Sequence, residues 1–136
     1  MNIDVQKLKV EPIKPNNYTR RSVPLVTVGH NRIGFNKEAT SLIKLDSDYK
    51  YAEVSQGERN NEIILLFRFL RNRTENSFVV GSDHSGRIYI SNKDLATTIF
   101  GASASRDTKR LDRIEIDPDK KLLLLTIWQY KATNTI

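Results

Sequence analysis

The stretch Asn31-Arg32-Ile33-Gly34-Phe35-Asn36-Lys37-Glu38-Ala39-Thr40-Ser41-Leu42-Ile43 returns later in the chain. Its second copy, with one inserted residue, is Gly86-Arg87-Ile88-Tyr89-Ile90-Ser91-Asn92-Lys93-Asp94-Leu95-Ala96-Thr97-Thr98-Ile99. Both copies read Arg-Ile, then Asn-Lys-acid, then a short apolar helix, and self-similarity of this kind marks a repeated supersecondary unit. Upstream of each lies a β-rich piece ending in a turn: Leu25 to Val28 before Gly29-His30-Asn31, and Ser77 to Val80 before Gly81 to Gly86. Downstream come two more strands in each case, Tyr49 to Ser55 with Glu62 to Phe69, and Arg113 to Asp117 with Lys121 to Trp128.

The strands are predicted from alternation and from β-branched or aromatic content bounded by Gly, Asn and Asp. Ile114-Glu115-Ile116 alternates, and Asp117-Pro118-Asp119-Lys120 carries the Pro of a type I turn at its second position. Leu122 to Ile127 is apolar enough to predict burial on both faces. The helices are predicted from their caps. Asn36 can accept from the free N–H groups of a helix starting at Lys37, and Ser91-Asn92-Lys93-Asp94 has capping-box spacing. Gly101 is expected to end the second helix in the left-handed conformation. Each half therefore reads strand, strand, short helix, strand, strand.

That order, with Gly86-Arg87-Ile88-Tyr89-Ile90 and its counterpart Asn31-Arg32-Ile33-Gly34-Phe35, resembles the AbrB/MazE/SpoVT type of swapped-hairpin DNA-binding domain. The resemblance covers residues 23 to 128. It implies a mainly β (β-rich α+β) chain in which two ββαββ repeats form a pseudo-two-fold swapped-hairpin barrel. The implied divisions are a basic extended arm over 1–22, a first repeat over 23–70, a connector over 71–76, a second repeat over 77–128 and a tail over 129–136. Two positions depart from the family pattern: Asn36 and Ser91 or Asn92 replace the Pro that commonly opens the helix, and Gly101 to Arg110 is a longer connection than usual. Exchange of halves between two chains, giving a homo-oligomer, is the competing arrangement.

Composition sets the class of partner. The 136 residues are 38% hydrophobic and 28% charged, with 10 Gly and Pro together, which is a globular balance able to bury a core. The longest apolar run, Leu122 to Leu125, is far below the roughly 20 residues of a membrane span. Met1-Asn2-Ile3-Asp4 opens no signal peptide, so a cytoplasmic protein is expected, or a virion component if the chain is structural. The absence of cysteine removes disulfides, thiol nucleophiles and Cys-based zinc sites.

The net charge of +6 favours nucleic acid or another acidic partner. Lys7, Lys9, Lys14, Arg20 and Arg21 stand against Asp4 and Glu11, so the first 22 residues hold a surplus of three. Residues 23–70 are neutral, and the remaining segments add one each. By the resemblance, the family's basic residues near the first turn of each copy fall on Arg32 and Arg87, a pair able to grip phosphates across a dyad. Guanidinium forks suit phosphate oxygens and guanine edges. Arg106, Lys109 and Arg110 end the small-residue loop after Gly101, and Arg71 and Arg73 would share a face if the connector were a strand. Duplex DNA is the expected partner, ahead of a single strand stacked on Tyr18, Tyr49, Tyr51, Tyr89 or Tyr130.

Enzyme chemistry is not expected. His30 and His84 both lie in first turns without converging partners, Glu53 and Glu115 are spaced as solvent-facing strand residues, and Gly81 to Gly86 lacks the Lys-Ser/Thr ending of a phosphate loop. No cofactor or metal is anticipated. The second function class is a structural or assembly protein, a phage virion accessory or interaction scaffold. Pro12, Pro15 and Pro24 favour an extended segment within residues 1–24 that can cross a protein partner's surface.

Overall fold

The computed structural model describes residues 5–9, 23–101 and 108–127. After a single 3-10 turn at Val5–Lys7, the chain forms β1 (Val26–Gly29), β2 (Arg32–Phe35), α1 (Lys37–Ile43), β3 (Tyr51–Arg59) and β4 (Glu62–Leu70). Then follow β5 (Ser77–Val79), β6 (Gly81–Ser82), β7 (Ile88–Ser91), α2 (Lys93–Phe100), β8 (Lys109–Leu111), β9 (Ile114–Asp117) and β10 (Leu122–Thr126). The protein is mainly β, with two antiparallel sheets of five strands ordered β6-β7-β2-β1-β8 and β5-β3-β4-β10-β9. We call them sheet A and sheet B.

Both sheets draw strands from residues 23–70 and from residues 77–127. In sheet A the junction is β2 against β7, with Ile33 opposite Ile90 and Phe35 opposite Ile88. In sheet B it is β4 against β10, with Phe67 opposite Leu123 and Leu65 opposite Leu125. The first-half hairpins close through two-residue turns, His30-Asn31 and Asn60-Asn61, whose φ values of 53°, 61°, 53° and 63° are all left-handed. Such turns match the twist of the flanking strands, and Asn tolerates the conformation best after Gly.

Alternation then decides which side of each sheet is buried. Val26, Val28, Ile33, Phe35, Ile88 and Ile90 of sheet A face Ala52, Leu65, Phe67, Phe69, Leu123 and Leu125 of sheet B, joined by Ala39, Ile43, Ala96, Ile99 and Phe100 from the helices. Phe35 meets Phe67 edge-on at 5.1 Å and Phe69 at 5.5 Å, so one ring from sheet A is wedged against two from sheet B.

Several sequence expectations change here. Ser77–Val79 does not open the second hairpin; it pairs with β3 at the edge of sheet B, and the short β6 takes the place beside β7. Ser91 is the last residue of β7 and not a helix cap, because Asn92 alone accepts the N–H of Leu95, at 2.8 Å. Gly101 has a positive φ of 81° but a ψ of −175°, so it leaves α2 in an extended conformation open to glycine, while α1 ends in the left-handed Lys44. The apolar side chains of β10 are fully buried on one face, Leu123 and Leu125, whereas on the other Leu122 and Leu124 are half-buried and only Thr126 is buried. The connection after Gly101 ends in a strand, β8, which adds to β1. Arg71 and Arg73 follow the end of β4 in a turn, so no strand alternation relates them.

Candidate nucleic-acid interface

The side of sheet A turned away from the core has a residue row fixed by strand register. Across the five strands it reads Gly81, Tyr89, Gly34, Thr27 and Arg110. The adjacent row holds Ser91, Arg32 and Gly29. Small residues keep the middle of this face low. A depression of about 380 Å³ opens there, lined by Arg32, His30, Ser91 and Thr108 with Thr27, Gly29 and Gly34, and no carboxylate takes part.

Arg32 begins β2 because the His30-Asn31 turn delivers it in phase with Gly34, on the outward side. Its guanidinium carbon lies 4.0 Å from the centroid of the Tyr89 ring, a cation–π contact. The ring in turn extends over Gly81, where an added Cβ would come within 2.6 Å of it. Glycine inside a strand often marks such a close approach. That is the signal by which Gly81 can be found from sequence.

Arg87 precedes β7 by one residue and shares the phase of Tyr89, exposed at the opposite end of the β2–β7 ribbon. Arg32 is level with Ser91, four residues from Arg87, so the two positions are on the order of 13 Å apart along the strands. A tight turn presents it: Asp83 Oδ1 accepts from the Ser85 hydroxyl at 2.7 Å, the Ser85 N–H at 3.0 Å and the Arg87 N–H at 3.1 Å. The Ser85 hydroxyl, then the Arg87 N–H, hold the Asp83 carboxyl below its ordinary range. His84 is exposed in the same turn, and among the described residues no group of His, Asp and Glu is placed to hold a metal ion.

The remaining predicted residues divide into three sets. Lys109 and Arg110 are exposed on β8, at the edge of sheet A, and border a groove of about 360 Å³ that also includes Asp112 and Arg113. Arg71 is occupied elsewhere: it donates to Asp46 Oδ2 at 3.2 Å and lies over the Tyr49 ring at 4.9 Å. Arg73 is exposed in the turn after β4. Arg20, Arg21 and Arg106, like Tyr18 and Tyr130, lie outside the described residues. Tyr49, Tyr51 and Tyr89 are half-buried.

Charge is distributed unequally between the sheets. Among the described residues four ion pairs form, Arg59–Glu115, Arg68–Glu53, Arg71–Asp46 and Arg113–Glu62. All involve sheet B or the turns attached to it. None uses Arg32, Arg87, Lys109 or Arg110. Arg113 holds Glu62 and Arg59 holds Glu115 below the usual carboxylate range, and Glu53 is lowered first by the Thr74 hydroxyl and then by Arg68. Glu53, Glu62 and Glu115 of sheet B are thus neutralised by arginines, while Arg32 and Arg110 on the outward side of sheet A enter none of these pairs and Arg87 lies close enough to Asp83 for its charge to help lower that carboxyl.

Sequence reasoning placed Arg32 and Arg87 at the candidate face but missed the small-residue row, the Tyr89 platform and the participation of His30, Ser91 and Thr108. No family model, no curated protein and no solved structure matches the chain.

Proposed function

We propose that this chain is a non-enzymatic DNA-binding protein that lays the outward face of sheet A on duplex DNA. The observation that carries the reading is the segregation of charge: Arg32, Arg87 and Arg110 share the outward phase of sheet A, Lys109 is exposed at its edge, and none of the four takes part in the ion pairs of sheet B. Arg32 on a depression free of carboxylates, with Arg87 and Arg110 in the same outward phase, forms an electrostatic footprint for phosphates. The separation of roughly 13 Å between the levels of Arg32 and Arg87 is close to the roughly 12 Å width of the major groove, so the pair can engage both of its walls. The arm, with Arg20 and Arg21, adds sequence-independent affinity.

The AbrB/MazE/SpoVT-like swapped-hairpin barrel belongs to the same proposal. It is supported by the antiparallel junctions β2–β7 and β4–β10, and by a register in which exchanging the two Arg-Ile motifs exchanges Ile33 with Ile88 and Phe35 with Ile90. The extra pairing of β5 and β8 distinguishes this chain from a plain duplication.

The test is fluorescence anisotropy with a labelled random duplex and a labelled single strand at roughly 50 and 200 mM salt. Duplex binding that weakens steeply with salt, and that falls when Arg32→Ala and Arg87→Ala are combined, is the expected result. Unchanged affinity in that double variant overturns the site assignment, and absence of binding to either probe overturns the function.

One observation favours a second reading, an assembly or scaffold protein. Val79, 70% exposed on the edge strand β5, offers an apolar strand edge to a protein partner or a second copy. Light scattering that shows a concentration-dependent oligomer abolished by Val79→Lys would support it.

A further inference from the structure

We propose that Tyr89 is a positioning residue that fixes Arg32 for base readout and makes the two ends of the DNA-facing ribbon unequal. The inference rests on the DNA-binding reading above and assigns different tasks to its two central arginines.

Tyr89 and Gly34 face each other directly across the β2–β7 junction, and they occupy the same place in the two copies of the Arg-Ile motif. One copy therefore supplies a ring at the centre of the face and the other supplies nothing. The ring extends over β6 because Gly81 has no Cβ to obstruct it. Arg32, reaching from β2, lies over that ring at 4.0 Å. Among the described residues Arg87 forms no ring contact, and its neighbour is the Asp83 turn.

The two arginines consequently start from different states. A cation–π contact engages the flat face of the guanidinium and leaves its in-plane N–H groups available. An arginine ordered beforehand loses less rotamer freedom on binding. Those are the requirements for bidentate contact with the O6 and N7 acceptors of guanine, where geometry is demanding. Arg87, exposed and without a platform, is suited to phosphate, which accepts a charge from many directions. A single chain with one ordered and one unordered arginine reads an asymmetric site, although its strand pairing approximates a two-fold.

The test uses two labelled duplexes of equal length, alternating dG·dC and alternating dA·dT, titrated by anisotropy with wild type, Arg32→Ala, Tyr89→Phe and Tyr89→Leu, with thermal midpoints as a folding control. Wild type is expected to prefer the dG·dC duplex by about fivefold or more, the discrimination of one good bidentate contact. Tyr89→Phe retains the preference. Tyr89→Leu loses it while the salt slope stays that of wild type, because no phosphate contact is removed. Should Tyr89→Leu fail to fold, Tyr89→Thr, a strand-compatible residue without a ring, takes its place. A retained preference in the ring-free variant overturns the positioning role, and equal binding of both duplexes by wild type overturns base readout. Unchanged affinity of Arg32→Ala for both duplexes instead brings down the DNA-binding assignment of this face.

Discussion

The ammonium of Lys121 donates to the carbonyl oxygens of Lys44, at 2.7 Å, and Ile43, at 3.2 Å. α1 has no basic residue in its own last turn, so a cation from the β9–β10 turn, 77 residues away in sequence, serves its C-terminus. Lys121 reaches there from a left-handed position (φ 57°) set by the turn in which Asp117 Oδ1 accepts the N–H groups of Asp119 and Lys120. Lys121→Met, which keeps the stem and removes the charge, should cost about 1 kcal/mol, a fall in Tm of roughly 3–5 °C. Thermal denaturation followed by circular dichroism checks it.

The two helix caps should differ in their response to alanine. Among the described residues Asn92 Oδ1 accepts only the N–H of Leu95, at 2.8 Å. Asn36 Oδ1 accepts from Ala39 at 2.9 Å and from Leu25 at 3.0 Å, and its Nδ2 donates to Val23 O at 2.8 Å, so it also anchors the segment leading into β1. Asn92→Ala should cost about 1 kcal/mol and Asn36→Ala about 2 kcal/mol. Urea midpoints in parallel would give the ranking, and equal losses would contradict the anchoring role.

Phe35 is 1% exposed and joins the two sheets through Phe67 and Phe69. Phe35→Ala should lose about 3–5 kcal/mol, enough to unfold most of the molecules of a marginally stable domain, and Phe35→Leu substantially less. Proteolysis rates and urea unfolding of the two variants distinguish these outcomes.

Acid sensitivity should come from the carboxylates of sheet B. Glu53, Glu62 and Glu115 are held below the ordinary glutamate range by Thr74 and Arg68, by Arg113 and by Arg59, so each favours the fold in its charged form. Their contribution is complete above the unfolded value of about 4.3 and is lost as the pH falls through the lower folded values. Stability should therefore be flat down to about pH 5 and fall below it. The combination of Glu62→Gln and Glu115→Gln should start from a lower plateau and fall less, as read from urea midpoints across that window.

Gly81→Ala should alter the candidate face with little effect on stability. The added methyl would come within 2.6 Å of the far end of the Tyr89 side chain, which can swing away. A stability change below about 1 kcal/mol is expected. Base discrimination should fall as in Tyr89→Leu. Wild-type discrimination in a folded Gly81→Ala protein would show that the ring need not rest there.

Much of the framework was legible in sequence for local reasons. Asn36 is recognisable as a cap and Lys37–Ile43 as a helix, Asp117 to Lys120 forms its turn, and Glu62–Leu70 alternates as a strand should. What escaped was decided by pairing between distant strands. Ser77–Val79 has the composition of a hairpin strand but finds its partner in β3, and Lys109–Leu111 has no apolar alternation to announce an edge strand. Arg32 was visible at the face and its order was not, because the contact with Tyr89 exists only once β2 lies beside β7. Arg71 looked available in the sequence and is held by Asp46 and Tyr49, neither of which is adjacent to it in the chain.

The central pair of each sheet joins strands from opposite sides of the exposed turn at residues 71–76. A cut in that turn would sever one covalent link and no strand pair at either junction. Two separately produced fragments, ending and beginning within that turn, would each lack part of both sheets; the first would hold Phe35, Phe67 and Phe69, and the second the β7 and β10 strands that complete the core around them. Mixed together, they have every reason to recombine, so the chain offers a natural dividing point for a complementation reporter whose reconstitution restores the basic face.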